Sequence, residues 1–467
     1  MQIVVLGGFL VALSLADVPG ASAPPWLLAA AAAAYLALPA AVTHLNVRLC
    51  LARMGGAGTL PPPVLRRHHV LAVATQAWLV AGLAGLMLLG LSRWVMDDLG
   101  LGRVPLAGTL AVLAPFVAGL LLTWVLDYPF HRVARARIVS HLGSSPAGGA
   151  WTRAEHLAYN VRHHLLFIAA PVGLIVLIRD LLHLYAWWLV PEGLREYVLP
   201  AGMVLAAGGV FLLAPLMVVR IWRTQPLAAG PLREELLAFS RRLGLRFRDL
   251  LVWLSGGVVA NAGVMGLVAP VRYVLLSDAL LEHMDRQQVK AIFAHEAGHI
   301  VCHHILYSLI FVLSLLTLVG SACLWLAWWL EWPSWAGDVL ALVALAAAFA
   351  GGFGWLSRRF ERQSDVIAAW LVSRPLEDLT PRTPITPEGA AVFAEALERV
   401  AELNGLSRRQ RNWRHGSIAR RVAHVLWLAE TGQGREPIDR LVGRVKVALW
   451  VAAAAAAGAI ALQLLLT

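Results

Sequence analysis

Eight stretches of this 467-residue chain are apolar for about 20 residues each, and that repetition limits the fold more than any other feature. At about 1.5 Å per residue, a helix of that length crosses about 30 Å of hydrocarbon. The runs lie at 26–45, 69–91, 104–126, 163–187, 198–220, 305–330, 336–356 and 445–466. A shorter run at 2–17 has no basic leading segment, and a second apolar stretch follows it closely. It reads as a further helix rather than a cleaved signal. Composition agrees: 59% of residues are hydrophobic and 14% charged, more apolar surface than a soluble body can hide. A wholly soluble enzyme, a disordered chain and a nucleic-acid-binding domain are argued against. The formal charge of +11 needs no polyanionic partner, because cytoplasmic loops of membrane proteins collect Arg and Lys.

Loop charge gives an independent test. Arg48, Arg53, Arg66 and Arg67 fall in the 44–68 loop, and Arg132, Arg135, Arg137, Arg153 and Arg162 in the 127–162 loop. The polar blocks 221–304 and 357–444 are also Arg-rich, whereas the connections near Asp17, Asp97–Asp98, Glu192–Glu196 and Glu331 are neutral or acidic. This alternation predicts eight to nine crossings, with the amino terminus and both polar blocks cytoplasmic. The expected organisation is a membrane region of about six helices over 1–220, the first polar block over 221–304, and a transmembrane hairpin over 305–356. The second polar block follows over 357–444, with a last membrane helix over 445–467. The two blocks total about 170 residues, enough to share one core. Lys290 and Lys446 are the only lysines. With abundant Ala, Leu and Gly, this points to a GC-rich bacterial genome and hence to a bacterial inner membrane. Cys50, Cys302 and Cys323 show no CxxC spacing, which argues against a disulfide framework or a cysteine metal site.

Within the first block, 232–243 is patterned as an amphipathic helix. Strands are expected over 246–254, 258–265 and 271–276, with turns at Ser255-Gly256-Gly257 and Pro270. A helix with Asp285 as its N-cap follows over 285–304. The second block is mostly helical, with a Pro-rich loop from Pro375 to Pro387. The 285–304 helix contains His295-Glu296-Ala297-Gly298-His299. Histidines four apart share a helical face, so both imidazoles can reach one zinc ion. Glu296 then lies where it can take a proton from a water activated by the metal. With 16 His and 16 Glu, chance would produce HExxH in roughly 2% of such chains, so the motif needs support elsewhere.

A catalytic zinc needs a third protein ligand and one open position. Beyond the 336–356 helix, Glu361 and Asp365 stand four apart on one helical face. Glu361 can complete the site and Asp365 can orient a ligand histidine. In an isolated segment the same residues would read as a solvated charged face. Here they and HEAGH flank a hairpin that returns the chain to one side of the membrane.

These features resemble a family: the membrane zinc endopeptidases that include HtpX-type heat-shock proteases and type I CAAX prenyl proteases. They are gluzincins, in which a Glu is the third ligand. The resemblance covers roughly 230–425. It rests on Asn261-Ala262, Ser277-Asp278-Ala279-Leu280-Leu281, HEAGH, and the Ser357…Glu361…Asp365 segment after two membrane helices. It implies one zinc per chain on His295, His299 and Glu361, with Glu296 as general base and Asp365 behind a ligand. The stretch His415-Gly416-Ser417-Ile418-Ala419-Arg420-Arg421 is similar to the family's His-Pro-Ser…Arg stretch. That likeness makes His415 a stabiliser of the tetrahedral oxyanion and puts Arg421 beside the ligands. Gly416 stands where proline is usual, and Ser364 where alanine is. The strand carrying Asn261 and Ala262 resembles the edge on which these enzymes lay an extended substrate.

The fold class expected is therefore mostly α: a polytopic membrane protein with a cytoplasmic α+β gluzincin domain carrying a small sheet. The expected partners are a membrane-associated protein or peptide substrate and the lipid bilayer, with no nucleic acid. Cleavage after a prenylated cysteine is an alternative, as is an inactive scaffold or sensor on the same fold. Several features read as structural. Gly298 costs helix propensity, offset by close approach of substrate or a neighbouring helix. Cys302-His303-His304 reads as a packed thiol and an interfacial histidine pair, and His68–His69 and His163–His164 as boundary markers without metal. Arg179 and Asp180 point about 100° apart on a helix and so need separate partners. Trp325, Trp328, Trp329, Trp332 and Trp335 read as an interfacial belt. A helix running unbroken from His299 into Ile305 would put zinc on the order of 10 Å from the bilayer surface.

Overall fold

Apolar length becomes helix length in the computed structural model. It describes residues 1–16, 21–54, 61–141, 152–257, 259–373, 375, 380 and 382–466. The connection at Asp17, the first residue of the expected strand at Val258, and parts of the 44–68, 127–162 and 375–387 loops lie outside the described residues. Among the described residues, eight helices are long and apolar enough to cross a membrane: Pro25–Ala52, Pro63–Leu88, Ala107–Arg137, Arg153–Tyr185, Glu192–Ile221, His304–Trp329, Val339–Ser373 and Glu436–Gln463. They contain the eight runs apart from a few end residues. The helix Gln2–Ser14 has 13 residues, or about 20 Å of rise, short of the hydrocarbon thickness.

The chain divides into two compact units, Met1–Thr224 and Gln225–Thr467. The first is a helical bundle whose core includes Leu79, Leu83, Leu113, Phe116 and Leu120, all fully buried. Tyr35 enters this apolar core and donates its hydroxyl to the Leu79 carbonyl at 2.8 Å, the partner that a buried phenol requires. Two readings change here. Arg179 and Asp180 pair with each other, because the long arginine side chain folds back along the helix. Its Nε and Nη2 lie 3.0 and 2.8 Å from Asp180 Oδ1, and Asp180 Oδ2 accepts from the Leu106 amide at 2.8 Å. His68 is more than a boundary marker. Its Nε2 lies 2.8 Å from Asp127 Oδ1, and His131 Nε2 lies 3.0 Å from Oδ2 of the same carboxylate. The two imidazoles fill both oxygens and clasp neighbouring helices.

Thr224 apart, the second unit holds a four-stranded sheet, β1 (Thr224–Pro226), β2 (Asp249–Trp253), β3 (Ala262–Met265) and β4 (Tyr273–Ser277), in the order β1-β2-β4-β3. β2 runs parallel to β4, with Asp249 opposite Tyr273, and β3 runs antiparallel, with Ala262 opposite Leu276. β3 therefore occupies an edge. It starts later than expected because the chain before it is tied elsewhere. Asp278 accepts from Ser255 Oγ at 2.5 Å and from the Gly256 amide at 2.8 Å. Asn404 brackets Ala260, donating Nδ2 to its carbonyl at 2.7 Å and accepting from its amide at 3.2 Å. The expected helix 232–243 is Pro231–Arg242, and helices Pro387–Leu403 and Ile418–Glu430 follow the hairpin.

The helix expected over 285–304 does not run on into the membrane. Asp285 caps it as expected, in a reciprocal box: the Gln288 amide donates to Asp285 Oδ1 at 2.9 Å, and the Asp285 amide to Gln288 Oε1 at 3.3 Å. It ends at Val301, His303 takes a left-handed conformation with φ +56°, and a new helix begins at His304. The rise-based distance from zinc to bilayer therefore does not apply. The returning arm of the hairpin, Ser334–Ala348, runs through a π-helical turn at Phe349–Phe353 into Gly354–Ser373. Its 35-residue apolar-led span is about 52 Å long, well beyond the hydrocarbon core, so its far end carries polar residues.

Candidate metal centre

The HEAGH helix, Arg286–Val301, is buried on most of its surface, from Val289 through Ile300. It packs along Gly354–Ser373, whose buried face includes Glu361, Ser364 and Asp365. Gly298 makes the approach possible: a Cβ there would lie 3.2 Å from Ser364 Cα and from its Oγ. Ser364 is itself fully buried, and both small residues are needed where the two helices carrying the candidate ligands touch. The gain expected from Gly298 is thus a neighbouring helix. Gly298→Val is expected to cost about 1–3 kcal/mol by overpacking and to weaken metal binding by parting those helices, measurable by thermal melting and metal titration.

Three donor sets converge at this crossing. His295 Nε2 and His299 Nε2 lie 3.3 Å apart, and Glu361 oxygens lie 3.6 Å from the first and 3.7 Å from the second. For metal–ligand bonds of about 2.0–2.1 Å, tetrahedral donors stand about 3.3–3.4 Å apart. The observed triangle is close to that, and its two nitrogens and one oxygen suit zinc. Phe393 stacks against the His295 ring, with centroids 6.2 Å apart, and fixes its plane.

Asp365 Oδ1 lies 3.0 Å from His295 Nδ1, so the ring's other nitrogen faces the triangle. Arg421 holds Asp365 in a fork, Nε to Oδ2 at 2.8 Å and Nη2 to Oδ1 at 2.6 Å, and its Nη2 lies 3.2 Å from Glu361 Oε2. Burial works against the guanidinium charge, but the two carboxylates outweigh it and raise the Arg421 pKa. Burial also opposes charge on His295, but Asp365 and Glu361 prevail and its pKa is raised; burial pushes His299 down to about 4. Burial pushes the Glu296 carboxyl above its usual range, opposed in part by His295, His415 and the Val264 amide. Asp365→Asn is expected to weaken zinc binding by roughly 10–100-fold, read by chelator competition.

His415 Nδ1 sits 2.8 Å from Glu361 Oε1. It is presented by a tight turn in which Asn412 and Gly416 exchange both backbone hydrogen bonds at 2.9 Å. Gly416 has φ +77°, a conformation closed to proline, whose ring fixes φ near −65°. The departure from the usual proline is thus matched by the shape of the turn. Asn261 and Ala262 line the same cavity as His295, Glu296, Glu361 and His415. Asn261 is held by backbone contacts to Ser277, its amide donating to Ser277 Oγ and its carbonyl accepting from the Ser277 amide, both at 2.9 Å. The cavity, about 930 Å³, is of the size that takes ligands.

One residue beside the centre departs from its sequence expectation. His304, expected at the membrane interface, is 3% exposed and touches His299. No periodic signal marks it, since it lies past a helix break made by a non-glycine residue.

No curated protein matches the sequence. Residues 226–405 match the profile of peptidase family M48; His415 and Arg421 lie beyond that segment. Among solved structures, the crystal structure of S. mikatae Ste24p is similar with a TM-score of 0.50, covering 86% of this chain and 99% of that one at 15% identity. At that identity the likeness speaks for the fold. The HEAGH helix and strands β2, β3 and β4 thus lie within the segment that matches peptidase family M48, in a polytopic membrane fold similar to that of Ste24p.

Proposed function

We propose that the chain is an integral-membrane zinc endopeptidase that cleaves membrane or membrane-proximal proteins, in processing or quality control. The observation that carries this reading is the convergence of His295, His299 and Glu361 beside Glu296 in one cavity. Zinc on those three ligands would supply Lewis acidity, polarising the scissile carbonyl and acidifying a water. Glu296 takes the proton of the attacking water and passes it to the leaving amine, a task suited to a carboxyl whose pKa is raised by burial. His415 donates to the developing oxyanion. The free edge of β3 pairs with an extended peptide, giving affinity with little sequence preference. The Arg-rich polar blocks support a cytoplasmic catalytic domain, and the composition supports a bacterial inner membrane.

Cleavage after a prenylated cysteine is the second reading, favoured by apolar Ile305, Phe353 and Phe360 in the lining of the cavity. A farnesylated peptide cleaved far faster than its unmodified form would select it. The test of the leading reading is a comparison of membranes carrying wild-type or Glu296→Gln chain. Specific membrane proteins are expected to accumulate with the variant; identical proteomes would contradict the reading.

A further inference from the structure

The break after the HEAGH helix builds something that neither the ligand set nor the general base uses. At Cys302 the helix ends with its carbonyl accepting from Lys446 Nζ at 2.7 Å, and Lys446 belongs to the carboxyl-terminal helix Glu436–Leu466. The left-handed turn at His303 then directs His304 back beneath the metal site. The buried ring stacks on Phe360, with centroids 4.2 Å apart and planes within 8°. Its Nδ1 lies 2.9 Å from His299 Nδ1, and its Nε2 lies 2.9 Å from Gln363 Oε1. Gln363 Nε2 in turn lies 2.7 Å from Asp439 Oδ1, in the first turn of the carboxyl-terminal helix. Arg435 Nε lies 2.9 Å from the other oxygen of Asp439, an ion pair.

The direction of every hydrogen bond in this chain follows from its last member. A carboxylate only accepts, so Gln363 must turn its NH2 toward Asp439 and its carbonyl toward His304. That carbonyl only accepts, so His304 must carry its proton on Nε2 and leave Nδ1 bare. A bare Nδ1 accepts from His299, which must then be protonated on Nδ1 and keep Nε2 unprotonated, its lone pair aimed into the space that it shares with His295 Nε2 and the Glu361 carboxylate. We infer that His304, Gln363 and Asp439 are positioning residues through which the carboxyl-terminal helix fixes the tautomer and ring plane of the metal ligand His299. The inference rests on the reading of His295, His299 and Glu361 as a zinc site. It gives that helix a part in the centre, matching on His299 what Asp365 does on His295.

The test is zinc affinity of the full-length, detergent-solubilised chain, measured by chelator competition on metal-free protein, with thermal melting of the same samples. Asp439→Asn keeps the shape and removes the obligate acceptor; it is expected to raise the zinc Kd by roughly 10–100-fold with little change in the metal-free melt. Gln363→Glu alone sets two carboxylates face to face and is expected to do the same. Combined, the two substitutions move the carboxylate one place along the chain and restore every donor and acceptor, so the double variant should recover most of the wild-type affinity. His304→Phe, which keeps the stack on Phe360, should remain weak in either background. Single variants within twofold of wild type, or a double variant as weak as His304→Phe, would overturn the relay while leaving the zinc site standing. If Asp439→Asn alone fails to fold, the double variant decides by the same two outcomes. A wild-type chain that takes up no zinc would overturn the site reading and the relay together.

Discussion

Glu296→Gln is expected to lower the peptidase rate by roughly 10²–10⁴-fold, the range associated with loss of a positioned general acid–base, while zinc content and melting temperature stay at wild-type values. The amide has nearly the volume of the carboxylate it replaces and still accepts from the Val264 backbone amide beside it. It cannot take the proton of an attacking water. The substitution therefore separates chemistry from assembly, measured as turnover of a fluorogenic peptide alongside metal analysis. Activity within tenfold of wild type would assign the base elsewhere.

Glu361→Ala is expected to have a comparably large effect by another route. It removes the carboxylate whose two oxygens lie 3.6 Å from His295 Nε2 and 3.7 Å from His299 Nε2, and with it the partner of His415 Nδ1 and one of the two partners of Arg421 Nη2. Two histidines alone hold zinc poorly, so the ion should be lost on dialysis and activity should fall to background. Zinc added back to the metal-stripped wild-type chain should restore activity, and added to the variant should not. His68→Ala, in the separate clasp on Asp127, should keep its zinc, a control for metal held outside the centre.

Much of this architecture was legible because its physics is local. A run of about 20 apolar residues has few fates other than a membrane helix, and eight such runs correspond to the eight helices of crossing length among the described residues. HEAGH declares itself through i, i+4 spacing, and so does the Glu361–Asp365 pair. What spacing does not contain is distance across the fold. The approach of the two helices depends on Gly298 against Ser364, a small-on-small contact with no signature in either segment alone. The link from His299 to Asp439 passes through residues 59 and 76 positions apart in sequence, and it begins at a left-handed histidine that no helix rule marks as a stop. The pairing of Arg179 with Asp180 is hidden from spacing for the opposite reason. Helical geometry turns the two Cβ atoms about 100° apart, whereas an arginine is long enough to fold back on its neighbour.

One zinc ion is expected to join two stretches of chain separated by a membrane hairpin. Anomalous diffraction at the zinc edge tests it most directly. A single strong peak per chain is expected, about 2.0–2.2 Å from His295 Nε2, His299 Nε2 and a Glu361 oxygen. An empty centre in zinc-loaded protein, or a peak on the histidines with Glu361 turned away, would contradict it.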